Sequence, residues 1–480
     1  MSYLQGRVEN NDSLASWASC TKKRELVWKF VPVVQPGNEE HVHHILFFEC
    51  YVPNSDTHFE QWLEGRGTQC YSANMPVSWH YCKSMVIGWA IGGKGEMFPL
   101  NAGFPVGEEH GGATYFMMET HYDNPNMRRG VVDSSGLRIF YTEKLREHDA
   151  GLLMVGHGVV PQHIVPPKQQ RFISAGFCDS SCTKQSLPVG GVSVFQGVLH
   201  SHLLGASLVL RHIRNGQELP VILQDMKYDF NYQSTRVLKE EIRLLPGDTL
   251  LTECYYDSSN RTMPTFGGFG TKEEMCLAFI GYYPRVNLFS CTSKPQLKDI
   301  LAPLGIEKVI MDQKSKGNPN AGPSGTRKAS SQKMKPIVIS NFLRNIRITA
   351  PQKYLNMSLY DVLHDERTWR DPTVTDSFQQ MTTSGVHEAK CYTRSDKPSK
   401  VEKLVPYPSF RTLRQKPDQC ALAKCGHPFQ QETQHILLAE SPFLARNPTY
   451  TSSRVTFLAR NPTYTSSRVI LPSKKPNIYF

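Results

Sequence analysis

The sequence predicts an all-β protein built mainly from two consecutive β-sandwich domains. Between residues 27 and 292, short runs rich in Val, Ile, Phe and Tyr alternate with turns rich in Gly, Pro, Asn and Asp, and few stretches carry a helical period. The runs follow one another at the short spacing that is typical of sandwiches. A break at 165–170 (VPPKQQ) divides the region into two blocks of sandwich size, 27–165 and 170–292.

The strand-like runs combine apolar, β-branched and aromatic residues. Turn signals such as DNP, RNGQ, PGD and FGGFG separate them. The first block contains HHILFFECYV, ATYFMMETHY and SGLRIFYT, and the second contains VSVFQGVLHSH, ASLVLRHIRNG and DTLLTECYY.

The rest of the chain is less regular. Residues 1–26 form an atypical N-terminal segment. Residues 293–405 are predicted to be a linker and a partly packed extension of the second domain, because apolar runs return after the Lys-, Gly-, Pro- and Ser-rich stretch 313–335. We expect residues 406–480 to be a largely irregular, disordered tail.

The basic charge is concentrated in this C-terminal part. The chain has a formal net charge of +11, but residues 1–292 carry −4 and the remainder carries +15. The tail repeats FLARNPTYTSSRV at 443–455 and 457–469, which is too few copies for a solenoid. Because no basic motif or aromatic-interleaved basic face is present, the sequence disfavours nucleic-acid binding.

Composition is typical of a globular protein. Hydrophobic residues make up 39% of the chain and charged residues 20%. No window reaches about 18 uninterrupted apolar residues, so no spanning helix is predicted. The opening MSYLQGRVENNDSLASW lacks the basic-then-apolar order of a secretory signal.

Twelve cysteines in a β-rich chain favour a disulfide framework. CDSSC at 178–182 could instead be half of a zinc site, but no second paired motif follows it. Glycosylation triplets at Asn11, Asn260 and Asn356 are compatible with the secretory pathway. Because that compartment conflicts with the missing signal, we expect an incomplete or alternative N-terminus.

Five histidines and one methionine carry the most informative chemistry. His43 and His44 are adjacent, so a metal ion could bind both only if the strand is irregular there. His121 ends an apolar run before a turn, and taken alone it is more simply explained as a packed or exposed histidine.

His200 and His202 have the i, i+2 spacing that directs both rings to one face of a strand, as a two-imidazole metal site requires. Two unrelated histidines on a polar face explain the pair equally well. Met275 would ordinarily fill a core, but a thioether joined to imidazoles favours copper, especially Cu(I). The sequence contains no GxSxG elbow, phosphate loop, HExxH helix or strand-linked GxGxxG.

Seven segments are long enough to be compared with known families. They are PGNEEHVHHILFFEC (36–50), WAIGGKGEMFP (89–99), METHYDNP (118–125), SSGLRIFYT (134–142), LHSHLLG (199–205), LLPGDTLLTECYY (244–256) and FGGFGTKEEMCLAFIGYYPRVNL (266–288). In content and order these segments resemble the copper type II, ascorbate-dependent monooxygenase family, most closely its dopamine β-hydroxylase-like members.

The resemblance implies two jelly-roll-like β domains, each with one copper ion, that face each other across a solvent-filled cleft. The family reaction inserts one oxygen atom of O2 into a C–H bond of a small molecule, with ascorbate as the electron donor. An amine-like substrate is weakly favoured. The implied ligands of the electron-supplying copper are His43, His44 and His121, and those of the oxygen-activating copper are His200, His202 and Met275, with a catalytic role for His200.

The resemblance also implies four disulfides and one departure from the family. The pairs are Cys50 with Cys82, Cys178 with Cys291, Cys182 with Cys391, and Cys254 with Cys276. The family's early Tyr-Trp-Cys strand has no match, because SLASWASC stands in its place. We therefore expect an N-terminally shortened or altered member whose first domain has an unpaired strand edge.

Two functions remain open on the sequence. The first is a copper monooxygenase, and the alternative is a non-catalytic secreted β-sandwich that keeps the fold with or without one metal. The sequence predicts neither a particular substrate nor an oligomeric state.

Overall fold

The protein, in a computed structural model, is described over residues 6–8, 13–19, 24–52, 59–63, 67–70, 75, 77–107, 115–312, 341–394, 400–413 and 453–456. Strands predominate in these ranges and form two sandwich units, which confirms the all-β, two-domain prediction. Asn11, Cys20 and most of the duplicated tail lie outside the described residues.

The first unit has two main sheets. One has the strand order β5-β2-β9-β4-β6, and the other runs β12-β8-β3-β11, with β7 beside β3; β1 and β10 form a separate ribbon. Short 3-10 helices occupy Phe59–Trp62 and Val77–Tyr81. The strands are β1 (Gly6–Val8), β2 (Ser13–Ser19), β3 (Glu25–Val33), β4 (Val42–Cys50), β5 (Thr68–Gln69), β6 (Ser84–Ala90), β7 (Glu96–Met97), β8 (Ala102–Val106), β9 (Tyr115–Tyr122), β10 (Val131–Asp133), β11 (Gly136–Thr142) and β12 (His148–Asp149).

Alternation along these strands builds the core of the first unit. Phe30 on β3 and Phe104 on β8 are buried against Ile45 on β4 and Phe116 on β9. Since each such side chain contributes about 1.5–3 kcal/mol when it leaves water, this contact between the sheets is the main force holding the unit together.

The segment SLASWAS forms a strand, contrary to the expected gap. It is β2, which pairs with β9 along its whole length, from Ser13 opposite His121 to Ser19 opposite Tyr115. Ladder pairing needs extended backbone groups rather than particular side chains, so the loss of the Tyr-Trp-Cys motif does not leave the β9 edge unpaired here. Residues 13–19 and 25–26 therefore belong to the first unit.

The second unit also has two sheets. The larger one has the order β20-β16-β23-β13-β24, and the smaller one runs β15-β21-β17-β18 with β19 beside β17; β14 pairs with β22. A short helix, α1 (Ser180–Ser186), follows β15. The strands are β13 (Gly151–His157), β14 (Ile164–Val165), β15 (Phe172–Cys178), β16 (Val192–Ser201), β17 (Gly205–Arg214), β18 (Gln217–Glu218), β19 (Leu223–Asp225), β20 (Arg236–Leu244), β21 (Thr249–Tyr256), β22 (Thr265–Phe266), β23 (Cys276–Tyr283) and β24 (Leu288–Pro295).

The division between the units lies earlier than 165–170. Strand β13 is central in the larger sheet of the second unit, antiparallel to β23 and parallel to β24. Residues 151–165, which the sequence assigned to the first domain, therefore belong to the second. VPPKQQ forms the turn between β14 and β15 within that unit. Its Pro residues would mark a change of chain direction equally well within a domain or between two domains.

The described parts of 293–405 pack on the second unit, and the stretch 313–335, where the linker was predicted, lies outside the described residues. Strand β27 pairs with β24, and β28 pairs with β27, so both extend the larger sheet. Leu343 and Phe378, on two of the helices, lie in the same core as the strands. The elements are α2 (Leu297–Leu301), β25 (Lys308–Met311), α3 (Asn341–Asn345), β26 (Ile346–Ala350), α4 (Leu359–Leu363), α5 (Pro372–Thr383), β27 (Val386–Thr393) and β28 (Lys400–Pro406), with 3-10 helices at Ala302–Leu304, Gln352–Tyr354 and Glu366–Trp369.

Two parts of the expected tail are ordered. Tyr407 and Phe410 pack on a small buried cluster around Phe177, and strand β29 (Ser453–Thr456) pairs with β11. No helix in the described ranges is long and apolar enough to cross a membrane.

Four disulfides join the elements, and their pairing is the one that the resemblance implies. Cysteines 178, 182 and 291 lie close enough for a metal to be considered, but all three are used in disulfides, which removes the need for a zinc site at CDSSC. Two of the bridges tie the two sheets of the second unit together. The pairs are Cys50–Cys82, Cys178–Cys291, Cys182–Cys391 and Cys254–Cys276.

Candidate metal centre

Three histidines of the first unit meet at one end of its five-stranded sheet. His44 on β4 lies opposite His121 on β9, and the register shifts between Val42 and His44, so His43 is the extra residue of a β-bulge. The bulge breaks the alternation that would send adjacent side chains to opposite faces. This is the irregular backbone that joint metal binding by His43 and His44 requires.

The rings of this group, called the first site, are in mutual contact. The His44 and His121 rings stack with centroids 4.6 Å apart, and His43 lies 5.3 Å from His44 and 5.8 Å from His121. The Nδ1 atoms of His43 and His44 are 3.0 Å apart, and His43 Nε2 is buried without a hydrogen-bond partner in the described chain. Converging ring nitrogens with an unused donor atom are what a metal site needs.

The second site consists of His200, His202 and Met275. Strand β16 carries His200 and ends at Ser201, which lies opposite Cys276, the first residue of β23. Continuing this register by one residue brings Met275 opposite His202. The rings of His200 and His202 contact each other at 5.2 Å, and Met275 is buried.

Hydrogen bonds orient both imidazoles of the second site. His200 Nδ1 lies 2.6 Å from Gln233 Oε1, and His202 Nδ1 lies 2.9 Å from the Glu273 carbonyl oxygen. Because an oxygen of either kind accepts, each Nδ1 carries the proton in the neutral ring, and each Nε2 keeps a lone pair. Such outer contacts are usual for histidines that bind metals.

The backbone around the second site is held by Glu274. Its carboxylate accepts hydrogen bonds from the Ser201 hydroxyl and from the backbone N–H groups of His202 and Leu204. Burial raises the pKa of Glu274 to about 7, although these donors lower it. The turn after β16 and the start of β23 are thereby tied to one buried side chain.

Burial keeps the histidines neutral. Burial and the neighbouring His121 and His200 lower the pKa of His43 to about 3, and burial together with His200 lowers that of His121 to about 4. Burial also lowers the pKa of His200 and His202. Since only the neutral imidazole can bind a cation, the lone pairs are available at neutral pH.

The two sites lie closer together than a wide cleft would allow. The His44 and His200 rings are 6.4 Å apart, in an edge arrangement. Phe230 stacks on His43 at 4.2 Å and meets the edge of His202 at 5.9 Å. The expected open separation is absent in this structure, and Phe230, on a loop of the second unit, contacts one ring of each site.

A cavity of about 820 Å³ opens beside both sites. It is lined by His44 and His121 from the first site and by all three residues of the second. Volumes of this size accommodate small molecules. A small molecule in the cavity would therefore lie beside both sites.

The residues present fit copper. Five neutral imidazoles and one thioether make up the donor set, and no carboxylate belongs to either trio. Imidazole serves both oxidation states of copper, and a thioether favours the reduced one. The three imidazoles of the first site would also suit zinc, so the thioether of the second site is the ligand that favours copper over zinc and hard cations.

Sequence reasoning missed the groups that surround these ligands. Phe230 and Gln233 lie on the loop between β19 and β20, whose sequence MKYDFNYQST carries no motif. Glu274 was visible only as an acid beside Met275. The roles of these residues depend on which loop lies beside each histidine ring. The topology of the fold determines that arrangement.

The N-terminal domain of copper type II ascorbate-dependent monooxygenases matches residues 14–129, and the C-terminal domain of the same enzymes matches residues 148–301. Together the two matches span more than half of the chain. The chain belongs to the copper type II ascorbate-dependent monooxygenase family. Both ligand groups lie within the matched ranges, and the match that begins at 148 agrees with the early division between the units.

Individual relatives in this family are moderately similar to the chain. DBH-like monooxygenase protein 1 from Gallus gallus is 39% identical over 286 residues, which cover 59% of this chain and 46% of the relative. MOXD1 homolog 1 from Drosophila melanogaster is 32% identical over 437 residues, covering 84% and 61%. Human dopamine beta-hydroxylase is 38% identical over 272 residues, covering 56% and 43%. The chain spans about half the length of the curated relatives it matches.

Proposed function

We propose that this chain is a copper monooxygenase that hydroxylates a C–H bond of a small molecule, using O2 and ascorbate. The observation that carries the proposal is the convergence of all six expected ligands into two adjacent groups at one cavity. Two copper ions, one at each group, would supply single-electron cycling and the activation of O2.

The protein's own residues prepare this chemistry. Gln233 and the Glu273 carbonyl keep the protons of His200 and His202 on Nδ1, so that both Nε2 atoms would have a lone pair free to hold a copper ion. Phe230 shields His43 from water. We assign His200 the catalytic role in addition to its role as a ligand, because its ring contacts a ring of the first site, 6.4 Å from His44.

We also propose that the protein acts in the secretory pathway. Four disulfides favour an oxidising compartment. Asn260 and Asn356 are both exposed, so both triplets are accessible to glycosylation.

The test is the copper content and oxygen uptake of the purified chain. We expect two coppers per chain and ascorbate-dependent O2 uptake in the presence of a small amine. His200→Ala should lose one copper and the uptake, whereas His148→Ala, outside both sites, should keep both. A chain that binds fewer than two coppers and shows no uptake would favour the non-catalytic alternative.

A further inference from the structure

One wall of the cavity carries a carboxylate that the metal chemistry does not use. Glu96 lies on β7, the short strand beside β3, and its side chain reaches the second unit. Gln196 Nε2 donates a hydrogen bond to one carboxylate oxygen at 2.7 Å, and the Thr235 hydroxyl donates to the other. Both oxygens accept, as expected of an ionised group.

The Glu96 carboxylate has no cation to balance it in the described chain. Burial raises the pKa of Glu96 to about 7, although the hydrogen bonds from Thr235 and Gln196 lower it. Lys94, also on the cavity wall, is exposed to solvent. A carboxylate that is desolvated without a cation is stabilised by any positive ligand that enters beside it.

The position of Glu96 relative to the second site suits a small ligand. Gln196 precedes His200 by four residues on the same strand face, and Thr235 follows Gln233, the partner of His200, by two. At about 3.3 Å per residue, the carboxylate lies on the order of 10 Å from the second site. A hydrogen bond to Glu96 at one end and a contact with the second site at the other take up most of this distance. The remainder leaves room for a short carbon chain.

We infer that Glu96 is the binding site for the ammonium group of a small primary amine, whose apolar part extends towards His200. The carboxylate has lone pairs beyond the two in use, and Gln196 Oε1 and Thr235 Oγ1 can accept the remaining N–H groups. Leu277 and Phe279, which line the cavity next to His200, suit an apolar body. The identification of this amine as the substrate rests on the proposed function.

A single carboxylate distinguishes an amine from other cations. A hard metal ion takes about six or more oxygen ligands, and one carboxylate with the neutral oxygens of Gln196 and Thr235 provides fewer than that. Lys294, which also lines the cavity, is paired with Glu388 at 2.7 Å, so this pair adds no unbalanced charge. The preference of the cavity should therefore be set at the Glu96 end.

The experiment measures binding to the copper-free full chain by calorimetry, with 2-phenylethylamine as the probe and the neutral 2-phenylethanol as its match. We expect the wild type to bind the amine at least about tenfold more tightly, since a charge-assisted hydrogen bond is lost in the alcohol. Glu96→Gln should weaken the binding of the amine by a similar factor and leave the affinity for the alcohol unchanged. Glu388→Gln is the control and should change neither.

Two other carboxylates line the cavity, Glu119 and the control Glu388. Three results would overturn the inference. They are equal wild-type affinity for both probes, an equal loss of binding of both probes in Glu96→Gln, and a loss of amine binding in Glu119→Gln but not in Glu96→Gln. If Glu96→Gln does not fold, the wild-type comparison decides. Amine selectivity in a chain that binds fewer than two coppers would defeat the proposed function and leave this site standing. A chain that binds two coppers but shows no preference for the amine would defeat the amine site and leave the proposed function standing.

Discussion

Replacing Glu49 with Gln should destabilise the protein strongly, because Glu49 joins the two units through a buried ion cluster. The side chain is fully buried on β4, the strand that also carries His43 and His44. Arg285 Nη2 lies 2.6 Å from one carboxylate oxygen, and Arg394 Nε lies 2.5 Å from the other. Both arginines belong to the second unit.

The magnitude follows in two ways. Burial alone would raise the pKa of Glu49, but Arg285 and Arg394 lower it from 4.5 to about 2. That difference corresponds to about 3 kcal/mol of folding free energy at neutral pH. Removing one partner of a buried ion pair is expected to cost about 3–5 kcal/mol, because the remaining charges stay buried. We therefore expect a loss of about 3 kcal/mol or more in Glu49→Gln.

The assay is urea unfolding at pH 7, with Asp149→Asn as the matched control. Asp149 and Arg24 form a 2.6 Å ion pair that is partly exposed, so its loss should cost less than about 1 kcal/mol. The folded-state pKa of Glu49 is depressed, so its contribution is complete above pH 4.5 and is lost as the pH falls towards 2. A loss below 1 kcal/mol for Glu49→Gln, or a gap from wild type that is the same at pH 7 and pH 3, would refute this reasoning.

Three further predictions concern the second site. Met275→Ile should reduce the copper content from two to one and remove the copper–sulfur distance from X-ray absorption spectra of the reduced protein; a persistent sulfur ligand would contradict the role of the thioether. Gln233→Leu should weaken copper binding at the second site by about 10- to 100-fold, measured by competition with a chelator. The control Gln224→Leu, at an exposed position, should leave copper binding unchanged. Equal effects of the two substitutions would show that Gln233 does not orient His200. Cys254→Ala with Cys276→Ala, which opens a bridge between residues 22 apart, should cost about 3 kcal/mol in urea unfolding, and an unchanged midpoint would show that the bridge adds nothing.

Local patterns predicted the strands and the shared face of His200 and His202, but not the boundaries of the units. Alternation predicts a strand wherever it lies, and the spacing of His200 and His202 fixes their shared face. VPPKQQ, by contrast, has the same appearance whether it separates two domains or two strands of one sheet. Only the pairing of β13 with β23 and β24, partners more than 100 residues away, assigns residues 151–157 to the second unit.

The adjacent histidines show a different limit. A regular strand would separate His43 from His44, so the sequence alone left their joint role open. The bulge that unites their rings follows from the pairing of β4 with β9, where one strand has a residue more than its partner between Val42 and His44. Neither strand's own sequence specifies that count, since it depends on how the whole sheet is aligned.

The short distance between the two sites has several separate supports, which explains why no single motif could predict it. Glu49 ties the first unit to Arg285 and Arg394, Phe230 contacts one ring of each histidine group, and Glu96 accepts hydrogen bonds from across the cavity. Each contact joins residues that are far apart in sequence. Because the contacts lie on different elements, loss of one should weaken the closed arrangement without abolishing it, and loss of Glu49, the most deeply buried of the three, should weaken it most.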